Sequence, residues 1–213
     1  MCQGCQNKVV ERAAYRVDHV GSFLRPKELV EAREKFSKGE LSQEELTKVE
    51  DKAITELVEK QIANGLRGVT DGEFRRAYWH LDFFWGLNGV EHVQGEKGYP
   101  FKGIETKPDT AKVSGKISGE NHPFVAHYKF LRDLVADREG VTVKLTIPSP
   151  SQLYFELIRT EDHIKGYEKF YPTFEELKDA IVVAYKQVIA DLYSEGLRVL
   201  QFDDCTWGAL ADD

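Results

Sequence analysis

The sequence predicts an α/β protein built on a parallel sheet. Short apolar strands alternate with long amphipathic helices along its 213 residues, which is typical of strands joined by right-handed helical crossovers. One pattern also occurs twice, in residues 65–73 and 196–204: a glycine that ends a helix is followed by Leu-Arg, an apolar strand and carboxylates. Since charged residues at the carboxyl ends of parallel strands face the ligand crevice of such folds, we expect both segments to contribute to a ligand site.

Local signals place four helices and four strands. Apolar residues at helical spacing, with caps before them and glycines after them, predict helices over residues 27–38, 42–65, 122–137 and 173–196. Short runs rich in β-branched and aromatic residues predict strands over residues 16–20, 69–70, 141–147 and 199–202.

Several element boundaries carry their own signal. Ser42-Gln-Glu-Glu45 and Thr173-Phe-Glu-Glu176 have the form of a capping box, so each is expected to start a helix. Pro26 suits the first turn of the first helix. Pro148 follows the third strand, whose end it marks.

The middle of the chain is less regular. Residues 78–85 are strongly aromatic and are expected to pack in the core, with a lid or substrate wall as the alternative. Residues 86–120 are interpreted as an excursion that contains a hairpin, with β-like runs at 101–106 and 111–118. A strand near Ser114 would be a fifth strand of the sheet.

Composition and charge exclude several classes of protein. The chain is 41% hydrophobic and 31% charged, which predicts a single folded domain with a sizeable core. A net charge of −7, with Lys and Arg scattered, argues against a nucleic-acid partner. No apolar run approaches the roughly 20 residues that span a bilayer, and no signal-peptide pattern is present, so we expect a cytoplasmic protein without a membrane partner.

The cysteines do not suggest a disulfide framework. Cys2, Cys5 and Cys205 are too few and too unevenly placed for one. Cys2-x-x-Cys5 has the spacing of a zinc half-site or a redox pair, but no second pair accompanies it, so residues 1–14 are interpreted as a disordered tail. His19 has no second ligand at a suitable spacing and is expected to pack or to form hydrogen bonds.

Carboxylates close both copies of the repeated pattern. They are Asp71 and Glu73 in the first copy and Asp203 and Asp204 in the second. From the residues alone, two interpretations stay open: they form a ligand site, or they are loop carboxylates that cap helices and form ion pairs.

Four segments resemble the C-terminal catalytic barrel of cobalamin-independent methionine synthase and its shorter single-barrel relatives. They are Asp18-His-Val-Gly-Ser-Phe-Leu-Arg-Pro26, Gly72-Glu-Phe-Arg-Arg76, Leu145-Thr-Ile-Pro148 and Leu200-Gln-Phe-Asp-Asp204, in the family's order and approximate spacing. The resemblance implies a (β/α)8 TIM barrel truncated to about its first half, over residues 15–213, with an inserted hairpin region at about 86–120. An eight-stranded barrel typically needs about 250 residues.

The resemblance also implies an activity and a substrate site. In the family, homocysteine receives a methyl group from N5 of a methylated folate, 5-methyltetrahydropteroyltriglutamate, which gives methionine. The resemblance assigns the carboxylate of homocysteine to Gly21 and Ser22, and its ammonium group to Glu73 and Asp203. These residue types suit the task, because a turn offers N–H groups to a carboxylate and a buried ammonium needs charged acceptors.

Two further residues stand at family positions. Tyr154 takes the place of the Trp on which the pterin ring of the folate often stacks, and a phenol ring can also stack. Asp204 stands beside Asp203 where the family commonly has Glu, and it is expected to support the site from behind.

The resemblance implies zinc in the full-length family, but not in this chain. The family's ligands lie on strands that follow the one ending at Asp203, and Cys205 is not at a ligand position. Without zinc, the homocysteine thiol keeps a pKa of about 8.5 and is a poor nucleophile at neutral pH. We therefore expect no metal ligand and no methyl transfer from the fragment alone.

Two other functions stay open. The first is a non-catalytic half-barrel that serves as a binding or interaction module and self-associates through exposed barrel edges. The second is an enzyme related to uroporphyrinogen decarboxylase, which is a weaker alternative because such an enzyme needs a basic pocket for several substrate carboxylates.

Overall fold

The computed structural model describes residues 18–96, 98, 103 and 106–211. Their backbone divides into two compact units. The described residues of Met1–Arg75 and Leu131–Lys144 form unit 1, and those of Arg76–Phe130 and Leu145–Asp213 form unit 2. The tail predicted over residues 1–14, with Cys2 and Cys5, lies outside the described residues.

Unit 1 consists of two helices and a short pair of parallel strands. The elements are α1 (Lys27–Ser37), α2 (Gln43–Ala63), β1 (Gly68–Val69) and the first residues of β4 (Thr142–Pro148). Gly68 pairs with Thr142 and Val69 with Val143. The apolar faces of both helices are buried, which gives this unit its core of Leu29, Ala32, Leu46, Ala53, Ile54, Leu57 and Val58.

Helix α2 begins as the sequence predicts. The Ser42 amide donates to the Glu45 carboxylate over 2.9 Å, and the Ser42 hydroxyl accepts from the Glu45 amide, which completes the capping box. At Thr173 only the hydroxyl half of the predicted box forms, since Oγ1 accepts from the Glu176 amide at 3.2 Å. One orphan amide of the helix is thereby satisfied, and the helix still starts where expected.

Unit 2 contains most of the remaining elements. They are α3 (Leu81–Trp85), β2 (Asn88–Gln94), β3 (Asp109–Ser118), the first part of α4 (Pro123–Leu134), the end of β4, α5 (Pro150–Leu157), α6 (Glu161–Tyr167), α7 (Phe174–Ser194), β5 (Val199–Asp203) and a 3-10 helix (Thr206–Ala211). Helix α7 buries Leu177, Ile181, Ala184, Tyr185, Val188 and Leu192 along one face.

Strand β4 is buried on both faces. Residues 143–149 are all buried, as expected for a strand inside a parallel sheet. In unit 2, β4 has β5 as its neighbour, and the amide of Ser149, just after β4, donates to the carbonyl of Asp203 over 2.9 Å. The α/β class with a parallel sheet is therefore confirmed.

Strands β2 and β3 form a separate antiparallel hairpin. The register shifts between Asn88 and Val90, and Gly89 between them has φ 73°. A Cβ at Gly89 would lie 2.4 Å from the Lys116 carbonyl oxygen, so this irregularity needs glycine. The predicted fifth strand near Ser114 pairs with β2 in this hairpin, so its assignment to the parallel sheet is wrong.

Two other predictions differ from the structure or fall partly outside the described residues, and three short helices were not predicted. Residues 18–20 form no strand, and residues 16–17 lie outside the described residues. The β-like run at 101–106 is described only at 103 and 106. Helices α3, α5 and α6 were not predicted, because five to eight residues are too few to show helical periodicity.

The helices in the described part of the chain include none with the length and hydrophobicity that a membrane crossing requires.

Candidate functional site

The turn after β1 holds its backbone in an unusual conformation. Gly72 has φ 65° and Glu73 has φ 58°, and the Glu73 amide donates to Asp71 Oδ1 over 2.9 Å. A glutamate in this left-handed region costs of the order of 1 kcal/mol, so the surrounding contacts must enforce it. Glu73 is also buried, at 4% exposure. A buried carboxylate on a strained backbone at a strand end has the character of a binding residue.

Helix α2 fixes where β1 ends. The buried side-chain amide of Gln61 donates to the Thr70 carbonyl over 2.8 Å and accepts from the Thr70 amide over 3.1 Å. The Gln61 side chain thus satisfies both backbone groups of Thr70, as a paired strand would do. The turn that follows is anchored to the helix by both hydrogen bonds.

The segment with Gly21 and Ser22 lies against this turn. The Phe23 amide donates to the Gly72 carbonyl over 3.2 Å, and the Arg25 guanidinium donates to the Glu73 carbonyl over 3.2 Å. Gly21 has φ 79°, and Ser22 is exposed. Within unit 1, the structure therefore brings Gly21 and Ser22 into the same neighbourhood as Glu73.

Asp203 is the last residue of β5 in unit 2. Its backbone carbonyl accepts the Ser149 amide, and its Oδ1 accepts a hydrogen bond from the Gln201 side-chain amide. The residue is half-buried. The side chain therefore stands at the end of a strand, with one oxygen oriented by a neighbour on the same strand.

Asp204 ties the next turn to the start of α5. Its Oδ2 accepts from the Ser151 hydroxyl at 2.9 Å, and its Oδ1 accepts from the Thr206 amide at 2.9 Å. Burial favours a raised pKa, but hydrogen bonds from Thr206, Ser151 and Ser149 outweigh it and lower the pKa of Asp204. These bonds give Asp204 a supporting geometry.

Tyr154 lies on α5 among other aromatic rings. Its ring centroid is 5.9 Å from that of Phe155 and 6.4 Å from that of Phe174, with interplanar angles of 70° and 66°. The ring is half-buried. Edge contacts of this kind orient an aromatic ring.

Two buried cations were not predicted, Arg76 in unit 2 and Lys144 in unit 1. Arg76 donates to the Thr146 carbonyl over 2.6 Å and lies over the Phe124 ring at 4.6 Å, all within unit 2. Lys144 lies on β4 in unit 1 and is 2% exposed. The sequence did contain a signal for Lys144, since a charged residue stands in the middle of an apolar strand. It contained none for Arg76, because Arg75 and Arg76 follow Glu73 closely and sequence alone does not distinguish them.

The described residues do not fit a zinc ion. No group of three His, Cys, Asp or Glu among them could hold a metal. Cys205 donates its Sγ–H to Gln152 Oε1 over 3.0 Å, and burial raises the pKa of this thiol, which disfavours the thiolate that zinc needs.

Comparison with known proteins identifies relatives. Residues 17–212 match the family described as "Cobalamin-independent synthase, Catalytic domain". Uncharacterized protein YxjH of Bacillus subtilis is 41% identical over 210 residues, which are 99% of this chain and 53% of YxjH. A methionine synthase of Sulfolobus acidocaldarius is 25% identical over 190 residues, 87% of this chain and 50% of that protein.

A solved structure shows the same architecture. A crystal structure of a Listeria monocytogenes protein, assigned to the vitamin-B12-independent methionine synthases, superposes with a TM-score of 0.71 at 38% identity. The match covers 92% of this chain and 54% of that one. The chain thus spans about half the length of the relatives it matches. The family match covers nearly all of the sequence, and the chain belongs to the cobalamin-independent methionine synthase catalytic-domain family.

Proposed function

We propose that this chain carries the amino-acid-binding part of a homocysteine S-methyltransferase of the methionine synthase type. The reaction transfers a methyl group to the homocysteine thiol and gives methionine. The observation that carries the proposal is Glu73, a buried carboxylate with φ 58° in the turn after β1. Such strain persists where the surrounding structure enforces it, and it is concentrated at binding and catalytic sites.

Each end of an amino acid has a proposed partner. The substrate carboxylate is bound by the turn at Gly21 and Ser22, where backbone N–H groups and a hydroxyl are offered. The substrate ammonium is bound by Glu73, since charge-assisted hydrogen bonds are about twice as strong as neutral ones. Asp203 is kept from the family resemblance as a second candidate acceptor for the ammonium. The hydrogen bond from the Phe23 amide to the Gly72 carbonyl supports this proposal, because it holds the turn with Gly21 and Ser22 beside the turn with Glu73.

Family membership supports a proposal for the methyl donor and for the metal. We propose methyltetrahydrofolate as the donor, with the Tyr154 ring as a stacking surface for its pterin. Zinc, when bound, would lower the pKa of the homocysteine thiol and so supply the thiolate nucleophile. The residues described here hold and orient the amino acid, and we assign none of them to the metal. A (β/α)8 barrel is the architecture that we propose for the complete fold.

Calorimetric titration with L-homocysteine under reducing conditions tests the amino-acid site. We expect saturable binding to the chain and an affinity at least about tenfold lower for Glu73→Gln, since a buried charge pair is lost. Glu168→Gln is the matched control, because Glu168 is exposed and unrelated to the proposed site, and it should bind normally. Equal affinities for Glu73→Gln and Glu168→Gln would remove Glu73 from the site.

A further inference from the structure

Lys144 is a buried cation in the middle of a buried strand. It lies between Val143 and Leu145 on β4, and its side chain is 2% exposed. An ammonium group in such a place is expensive unless it is paired and hydrogen-bonded. The hydrogen-bond partners of Lys144 therefore indicate its structural role.

Asp18 and His19, which lie shortly before Gly21 and Ser22, both bind the ammonium group of Lys144. Its Nζ lies 2.8 Å from Oδ2 of Asp18 and donates a second hydrogen bond to the backbone carbonyl of His19. The ammonium group thus binds both a side chain and the main chain of the same short segment.

This segment is held in place by contacts at several points along its length. Residues 18–25 form neither helix nor strand. Further along, the Phe23 amide bonds to the Gly72 carbonyl, and the His19 ring stacks on the Phe23 ring with centroids 3.6 Å apart. Lys144 supplies the attachment at the start of the segment, from a strand that is itself held in register by β1.

We propose that Lys144 is a positioning residue for the amino-acid site: it fixes residues 18–19 so that the turn at Gly21 and Ser22 is presented to the substrate carboxylate. This inference rests on the proposed function. Lys144 acts through the main chain and does not touch the substrate. Its effect should therefore be specific to ligands that carry a carboxylate.

The test compares Lys144→Met, which keeps the length of the side chain and removes its charge, with Lys52→Met. Lys52 is 75% exposed and pairs loosely with Glu56 at 3.9 Å, so its variant is the control. Two ligands are titrated: L-homocysteine and 3-amino-1-propanethiol, which lacks the carboxylate. We expect Lys144→Met to lower the affinity for L-homocysteine at least about tenfold and to leave the affinity for 3-amino-1-propanethiol unchanged.

Hydrogen exchange gives a readout that does not depend on binding. Amides of residues 19–25 should exchange at least about tenfold faster in Lys144→Met, while amides of α2 keep their protection. If Lys144→Met does not fold, Asp18→Ala removes the same ion pair from its more exposed side and should show the same two effects. Unchanged exchange at residues 19–25, or an equal loss of affinity for both ligands, would overturn the role of Lys144. Failure of the unmodified chain to bind L-homocysteine would instead overturn the proposed function.

Discussion

The backbone amide of Glu73 donates a hydrogen bond to the side-chain carboxylate of Asp71, and this bond closes the turn that gives Glu73 its positive φ. We expect Asp71→Ala to destabilise the fold by about 1–2 kcal/mol, because the buried Glu73 amide loses its acceptor. Asp71→Asn keeps a side-chain oxygen at the same place and should cost less. Urea unfolding of both variants checks this, and equal losses would show that the hydrogen bond does not hold the turn.

Position 72 requires glycine for two reasons: its backbone has a positive φ, and there is no space for a Cβ atom. An added Cβ would lie 2.4 Å from Leu57 Cδ2, at a φ of 65°. Gly39 has a φ of 73° with nothing within 4 Å of an added Cβ. We expect Gly39→Ala to cost about 1 kcal/mol for conformation alone, and Gly72→Ala about 1–3 kcal/mol more for overpacking. Denaturation midpoints that are the same for both variants would contradict the packing argument.

His122 is a neutral imidazole held by two backbone groups. Its Nε2–H donates to the Phe83 carbonyl at 2.9 Å, and its Nδ1 accepts from the Phe124 amide at 3.2 Å. Burial lowers the pKa of His122 from 6.5 to about 4; the Arg76 charge adds to the lowering, and the Phe83 carbonyl opposes it.

This lowered pKa predicts acid sensitivity. Below pH 6.5 the unfolded chain binds a proton at His122 that the folded chain refuses, so stability falls as the pH drops from 6.5 to about 4 and levels off below that. The shift corresponds to about 3 kcal/mol at full extent. The free energy of unfolding of His122→Asn should therefore fall less steeply over this pH range. Much of the remaining slope comes from His80 and His163, because burial lowers their pKa values as well. Parallel curves for variant and unmodified chain would show that His122 does not contribute.

Asp204 and Asp203 should differ in their effect on binding. Asp204 accepts hydrogen bonds from Ser151 and Thr206, so we expect Asp204→Ala to loosen the turn after β5 and to lower the affinity for L-homocysteine about threefold. Asp203→Asn removes a carboxylate proposed to touch the ammonium and should lower affinity at least about tenfold. Titration calorimetry ranks the two, and the reverse ranking would exchange their roles.

Sequence patterns predicted the long elements well and the short ones poorly. Helices α2 and α7 carry caps, terminal glycines and many turns of apolar spacing, so their positions were predictable. Helix α3 has five residues and gives no such signal. The strand near Ser114 was assigned to the wrong sheet, because its pairing with β2 in the hairpin joins residues distant in sequence and leaves no local signal.

The sequence indicated which residue types form the candidate site, but not the contacts that hold these residues in place. Carboxylates after an apolar strand indicated Glu73 and Asp203, since strand ends are where such groups avoid burial in the sheet. The positive φ of Glu73, the amide bonds of Gln61 and the attachment of Lys144 depend on tertiary contacts between distant residues. No local pattern encodes these contacts.

The most direct test of the central claim is a cycle of four affinities measured by calorimetry. L-homocysteine and N-acetyl-L-homocysteine, which lacks the ammonium charge, are each titrated into the unmodified chain and into Glu73→Gln. If Glu73 binds the ammonium group, acetylation lowers affinity at least about tenfold in the unmodified chain and less than about twofold in Glu73→Gln, a coupling of about 1 kcal/mol or more. The same loss on acetylation in both proteins, or no binding of L-homocysteine at all, would contradict the account.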